Sequence, residues 1–278
     1  MQEKRIGILG LGWLGEALAV ALTAQSSYTV IGTTRNDEKR KRLAELDIQS
    51  VSCDIYESLA PINDHFADCD CWVINIAAGR RTLDPNRFVK AVKQLFDCGA
   101  QHRIPHIIFI STTAVFGSAS GIITEASSTQ PVTDSAKAHV TLEDYLSQRL
   151  PSRHTILRLA GLVGEDRHPA KYLAGKTGLT AGNEPVNLVH RDDVVAAVQR
   201  LIELGPLPQT RLHLSATDHP SRRDYYLWST EQLGLTAPEF ENYDENPPSL
   251  GRTINSEETL KRLGLALQYA SPYDMLAD

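Results

Sequence analysis

Two hydrophobic periods alternate along the chain. Residues 5–9 form a short apolar run that leads through glycine-rich sequence into Leu14, Ala17, Leu18 and Leu22 at helical spacing. Residues 28–33 are rich in strand formers, residues 38–46 read as helix, and residues 48–52 read as a short strand. An apolar strand follows at 71–76. Pro85 then opens a helix carrying Phe88, Val89, Val92, Leu95 and Phe96 on one side. Residues 106–110 are the most strand-like in the chain; a helix from about 133 to 150 and a strand at 155–159 complete the series.

Continuous apolar strands between amphipathic helices predict βαβ units and a parallel sheet covered on both faces. Right-handed crossovers make that a doubly wound α/β sheet of the Rossmann type. After Gly164 the alternation loosens. The expected division is a dinucleotide-binding domain at 1–163, completed by 187–215, and a small C-terminal substrate-binding lobe from 164–186 and 216–278.

The chain has 278 residues, 42% hydrophobic and 22% charged, which suits one large domain with an appendage. A net charge of −6 argues against a nucleic-acid partner, which would call for clustered cations. The basic run at 35–42 is diluted by Asp37 and Glu38 and reads mainly as a solvated helix face. Cys53, Cys69, Cys71 and Cys98 form no zinc-ligand pattern, so no metal is expected and the thiols should be reduced. With no signal sequence and no apolar run near the ~18 residues of a membrane span, a soluble cytoplasmic protein is expected, monomer or homodimer.

Gly10-Leu11-Gly12-Trp13-Leu14-Gly15 follows a predicted strand and opens a predicted helix, the setting in which G-x-G-x-x-G binds a dinucleotide. Gly10 allows the tight turn, Gly12 the approach of a pyrophosphate, and Gly15 close helix packing. Cofactor choice is read at the end of the second strand. An NAD site usually has a carboxylate there, but Gly32-Thr33-Thr34-Arg35 has none before Asp37. Thr33, Thr34 and Arg35 suit a 2′-phosphate, so NADP is expected over NAD. Trp13, Leu14, Asp54 and Ala77 are assigned to the cofactor site as well.

Further blocks stand along the chain: Ser-Thr-Thr-Ala-Val-Phe-Gly at 111–117, Pro-Val-Thr-Asp-Ser at 131–135, Arg-Leu-Ala-Gly-Leu-Val-Gly at 158–164, Arg-His-Pro at 167–169, Ala-Gly-Lys at 174–176 and Asn-Leu-Val-His-Arg-Asp-Asp-Val at 187–194. With the glycine cradle, these resemble the extended short-chain dehydrogenase/reductase (epimerase/dehydratase) superfamily and, within it, the atypical YeeZ-like subgroup. The resemblance implies a seven-stranded parallel sheet with a small C-terminal substrate lobe. It also implies a Ser/Thr that holds the substrate oxygen, and a Tyr and Lys four apart on one helix. The lysine bonds the nicotinamide ribose and lowers the phenol's pKa.

On that resemblance Thr112 takes the Ser/Thr position, Lys137 the lysine, and Thr133 stands where the family has tyrosine. An aliphatic hydroxyl orients a substrate but does not titrate as a phenol does. Tyr172 and Lys176 repeat the spacing, but Pro169 and Gly175 argue against a helix there; Tyr145 lies too far along the Lys137 helix. On the substrate side, Arg167, His168, Lys171 and Lys176 follow the 157–163 strand region, and His190 precedes the returning helix. They suit an anionic small molecule, with His168 as the proton carrier. Two functions fit: an NADP(H)-dependent oxidoreductase or epimerase-like enzyme with a modified proton relay, or an NADP(H)-binding sensor without turnover.

Overall fold

The computed structural model describes residues 3–77, 84–165, 167–207, 210–241 and 251–276. In chain order its elements are β1 (Lys4–Leu9), α1 (Trp13–Thr23), β2 (Tyr28–Thr34), α2 (Asp37–Ala44), β3 (Gln49–Ser52), α3 (Ala60–His65), β4 (Cys71–Ile74), α4 (Pro85–Gln101), β5 (His106–Thr112), β6 (Gly121–Ile123), α5 (Asp134–Arg149), β7 (His154–Leu159), β8 (Gly161–Val163), α6 (Ala170–Leu173), β9 (Leu188–His190), α7 (Arg191–Leu204), β10 (Arg211–Leu214), α8 (Arg222–Gln232), β11 (Arg252–Ile254) and α9 (Glu257–Leu263). Seven strands form one parallel sheet in the order β3-β2-β1-β4-β5-β7-β10.

The strands read as unbroken apolar runs because successive side chains enter different cores. Ile6, Ile8, Val73, Ile108, Ile110 and Leu157 pack with Leu14, Leu18 and Leu22 of α1 and with Val194, Val198 and Leu201 of α7. Their neighbours Leu9, Trp72, Ile74, Ile107, Phe109 and Ile156 pack on the opposite face with Phe88, Val92, Leu95 and Phe96 of α4 and with Leu142 and Leu146 of α5. A strand buried on both faces loses the apolar–polar alternation.

Element ends differ from the periodicity for local reasons. α2 starts at Asp37 because Asn36 caps it, its side chain accepting from Lys39 N at 2.9 Å. β4 stops at Ile74, two residues before the predicted end, which leaves Asn75–Ala77 outside the ladder.

The smaller lobe has its own cluster of Val163, Ala170, Val186, Leu188, Tyr225, Tyr226 and Met275. Two short parallel pairs, β8 with β9 and β6 with β11, join it to the sheet domain. Residues 216–278, expected to lie in the lobe, also send α9 back to the main core, where Leu263 is fully buried beside α7. Among the described residues no helix is long and apolar enough to cross a membrane.

Candidate functional site

In the sheet order the chain reverses between β1 and β4, and a crevice opens at the carboxyl ends of these strands. The three glycines there are required for different reasons. Gly10 has φ +110°, and a Cβ on it would stand 2.5 Å from Asn75 O. A Cβ on Gly15 would come within 2.2 Å of Gly10 O. A Cβ on Gly12 would meet nothing within 4 Å. Gly10 and Gly15 are therefore needed by the fold, whereas the space above Gly12 is kept clear on the crevice side.

Gly12 also caps α1 without a side-chain acceptor, so the first-turn N–H groups and the positive end of the helix dipole face that space. This arrangement fits a pyrophosphate. Thr33 anchors the cradle: its Oγ1 accepts from Gly10 N at 2.9 Å and its carbonyl from Leu11 N at 2.8 Å. It is 3% exposed, so this hydroxyl is engaged by the loop, whereas the sequence suggested a 2′-phosphate contact. The Leu14 side chain packs in the core, 6% exposed, so any contact of this residue with the cofactor is through its first-turn N–H.

A cavity of about 740 Å³ extends from the cradle over Thr34, Arg35, Asp54 and Ala77. Arg35 reaches Asp54 at 3.4 Å, and its side chain is otherwise largely in solvent. Lys39 is held back, with Nζ on Leu11 O at 3.1 Å and on Glu16 at 2.9 Å.

Asn75, Ile76 and Ala77 are shared with a second cavity of about 1140 Å³ that runs towards the lobe. Thr112, Thr133, Ser135 and His139 line one side of it. Arg167, Arg222 and Arg252 bring three cations from the loops and the lobe. Thr112 ends β5, its hydroxyl accepting from Ala114 N at 3.1 Å. On the same wall, Ser111 donates to Glu143 at 2.6 Å, and Glu143 holds Arg158 through bonds of 3.1 and 2.6 Å. His139 stands one helical turn before Glu143. It is 7% exposed, between the rings of Phe88 at 5.6 Å and Phe109 at 6.0 Å.

Residues 10–203 match the family of NAD(P)H-binding proteins. Over 280 aligned residues the chain is 35% identical to the protein YeeZ of Escherichia coli K12, covering 98% of each chain. The chain belongs to the NAD(P)H-binding family and is YeeZ-like. Among solved structures, UDP-glucuronic acid 4-epimerase from Bacillus cereus in complex with NAD superposes with a TM-score of 0.75 at 18% identity, covering 96% of this chain and 93% of that one. UDP-N-acetylglucosamine 4-epimerase from the same organism gives 0.75 at 15% identity, covering 96% and 95%. Both likenesses are of fold.

Of the two positions that the resemblance assigned to the Tyr/Lys pair, Thr133 lines the cavity and Lys137 does not. Thr133 lies outside the helix in extended conformation and caps it, accepting from Ala136 N at 3.2 Å. Lys137 points elsewhere: it is exposed, 3.8 Å from Asp134, and lines a shallow groove between α4 and α5. The pair four apart that shares the cavity with Thr112 is Ser135 and His139. Thr133–Lys137 and Ser135–His139 have identical spacing, so spacing could not choose between them. The helix phase could have: residues 138, 142 and 146 mark the buried stripe, and 139 adjoins it whereas 137 and 141 do not. Because Thr133 caps α5, Thr133→Ala is expected to cost about 1 kcal/mol of stability in a urea titration.

His168 is corrected too. It is 3% exposed, its Nδ1 accepts from Ala170 N at 3.2 Å, and its Nε2 therefore donates to Tyr225 OH at 2.8 Å. Burial, helped by Lys171, pushes its pKa down to about 4. It braces the lobe and does not line the cavity. His190 caps α7, accepting from Asp192 N at 3.3 Å, and stacks on Tyr269 at 3.7 Å. Lys171 and Lys176 are exposed and stand away from the cavity wall. Of the expected substrate cations only Arg167 lines it. Its guanidinium also lies 5.2 Å from the Trp13 ring, and Arg191 stands 4.9 Å from that ring. Arg222 and Arg252 were missed because they are distant in sequence and carry no motif.

Proposed function

We propose that this protein is an NADP(H)-dependent oxidoreductase or epimerase-like enzyme acting on an anionic small molecule. The observation that carries it is the continuity of the two cavities through Asn75–Ala77, which joins a pyrophosphate cradle to a pocket bearing Thr112 and three arginines. The cofactor would be held by the Gly12 cradle and by Arg35, with Asp54 and Ala77 along its length. When bound, it supplies or accepts a hydride. Thr112 is placed to hold a substrate oxygen near the carboxyl end of β5. Arg167, Arg222 and Arg252 are placed to bind carboxylate or phosphate, because guanidinium pairs with such oxygens in a planar fork.

The preference for NADP rests on Arg35 and on the lack of a carboxylate at the end of β2. Losing one charge-assisted bond costs about 1.5–3 kcal/mol, so Arg35→Ala should weaken NADPH roughly tenfold or more and leave NADH nearly unchanged. Titration calorimetry with both cofactors decides this; equal affinity for the two in the unmodified protein would remove the basis for NADP.

One observation favours a second function, cofactor binding without turnover. Among the described residues no lysine lines the substrate cavity, and its one tyrosine, Tyr226 on α8, has a phenol pKa raised by burial. The usual Tyr/Lys relay is thus missing from the described site. A panel of anionic carbonyl compounds and their alcohols, assayed with NADPH and NADP⁺, separates the two. Turnover supports the enzyme, and tight NADPH binding with no turnover supports the sensor.

A further inference from the structure

We propose that His139 is the proton-carrying residue of this site, with Nε2 taking the hydroxyl proton of a substrate alcohol and returning it in the reverse direction. The proposal rests on the oxidoreductase function above and names the group that would replace the phenol.

Geometry isolates this residue. His139 lies on the inner face of α5, lining the cavity that also holds Thr112. Its Nδ1 is 2.8 Å from Ser135 O. A carbonyl oxygen only accepts, so Nδ1 carries the hydrogen and, in the neutral ring, Nε2 carries the lone pair. Nε2 has no hydrogen-bond partner among the described residues. The flanking rings of Phe88 and Phe109 hold the imidazole in place. The tautomer and the ring orientation are thus set before any ligand arrives.

The other lining groups do not serve. Arg167, Arg222 and Arg252 stay protonated. Asp134 is mostly in solvent near Lys137. The serine and threonine hydroxyls do not titrate in the working range. Among the described lining residues, His139 alone has an ordinary pKa near neutrality.

The proton balance is simple. In the oxidation direction the substrate O–H bond breaks and its proton forms N–H on Nε2. The C–H electron pair leaves as hydride to an oxidised nicotinamide dinucleotide, and the carbon–oxygen double bond forms. The imidazolium then gives its proton to water in the open cavity. Reduction runs the same changes backwards and needs His139 protonated first.

The charged surroundings set the pH dependence. Burial lowers the His139 pKa, while the bond to Ser135 O and the Glu143 carboxylate act the other way; the net shift is downward. Arg158 from β7 is paired with Glu143 and tempers its field. From α4 and β5 the ring stands against Phe88 and Phe109, which carry no charge. Asp134 and the three arginines are the remaining charges on the cavity wall. Oxidation needs the neutral ring, so its rate should rise with pH through a midpoint below 6.5 and then stay flat. Reduction should fall over the same range.

The test uses the full chain and two readouts. Nitrogen and carbon NMR of the ligand-free protein, assigned by difference with His139→Gln, should show an Nδ1–H tautomer titrating below 6.5. A ring carrying hydrogen on Nε2, or one with no titration between pH 4 and 8, overturns the proposal whether or not the protein turns over. On the best substrate of the panel, His139→Gln should lower kcat about 100-fold or more, as expected for a lost general base. It should also abolish the pH limb and leave NADPH affinity by calorimetry unchanged. A kcat within threefold of the unmodified protein, with its pH limb intact, overturns it. His139→Asn provides a second variant if the glutamine form unfolds. Failure of NADPH to bind the unmodified protein would instead sink the enzyme function, a result separable from both His139 readouts.

Discussion

Glu143→Leu is expected to lower the unfolding free energy by about 3–5 kcal/mol, the usual cost of leaving one partner of a buried ion pair alone. Glu143 and Arg158 have side chains 1% and 4% exposed, on α5 and β7. The carboxylate accepts from Arg158 Nε and Nη2 and from Ser111, so its removal strands a guanidinium and a hydroxyl together. The Arg158 guanidinium also lies 5.0 Å from the Phe116 ring, a contact that does not restore its lost counter-charge. Replacing both members, as in Glu143→Leu with Arg158→Met, should recover much of the loss, because an apolar pair no longer strands a buried charge. Urea denaturation with an unchanged m-value measures both variants. A single-variant loss under about 1 kcal/mol would mean that water or a neighbouring group compensates the stranded charge.

Gly10→Ala and Gly12→Val should fail in opposite ways. At Gly10 the positive φ and the 2.5 Å approach to Asn75 O penalise any side chain. Backbone strain alone costs about 1–3 kcal/mol, so this variant should melt earlier. At Gly12 φ is −76°, a conformation open to most residues, and the added Cβ meets nothing. Gly12→Val should therefore keep the melting temperature of the free protein and lose NADPH and NADH about 100-fold or more, equivalent to about 2.8 kcal/mol of binding. The thermal shift on adding NADPH should disappear with it. A Gly12→Val protein that binds normally would put the pyrophosphate elsewhere.

Two kinds of residue were legible in the sequence to different degrees. The glycine cradle was readable because each glycine acts within a few residues of its own backbone turn. Thr112 was placed by the resemblance of the 111–117 block, and it lines the cavity at the end of β5. Thr133 lines the cavity as the resemblance implied, but Lys137, assigned on the same resemblance, does not, because packing of α5 against α4 and β5 turns position 137 into the groove beside α4. His168 failed for a related reason, since a loop histidine and a buried one look alike until Tyr225, 57 residues away, supplies the bond.

The sequence by itself determined the doubly wound parallel sheet and its dinucleotide cradle, because hydrophobic period and local turn chemistry act over short stretches of chain. The shape and charge of the second cavity were decided by tertiary structure alone. Arg167, Arg222 and Arg252 come from separate segments, and His139 faces the cavity because neighbouring elements set the rotation of α5. A side chain's direction relative to a distant segment depends on how whole elements pack, and no local pattern encodes it.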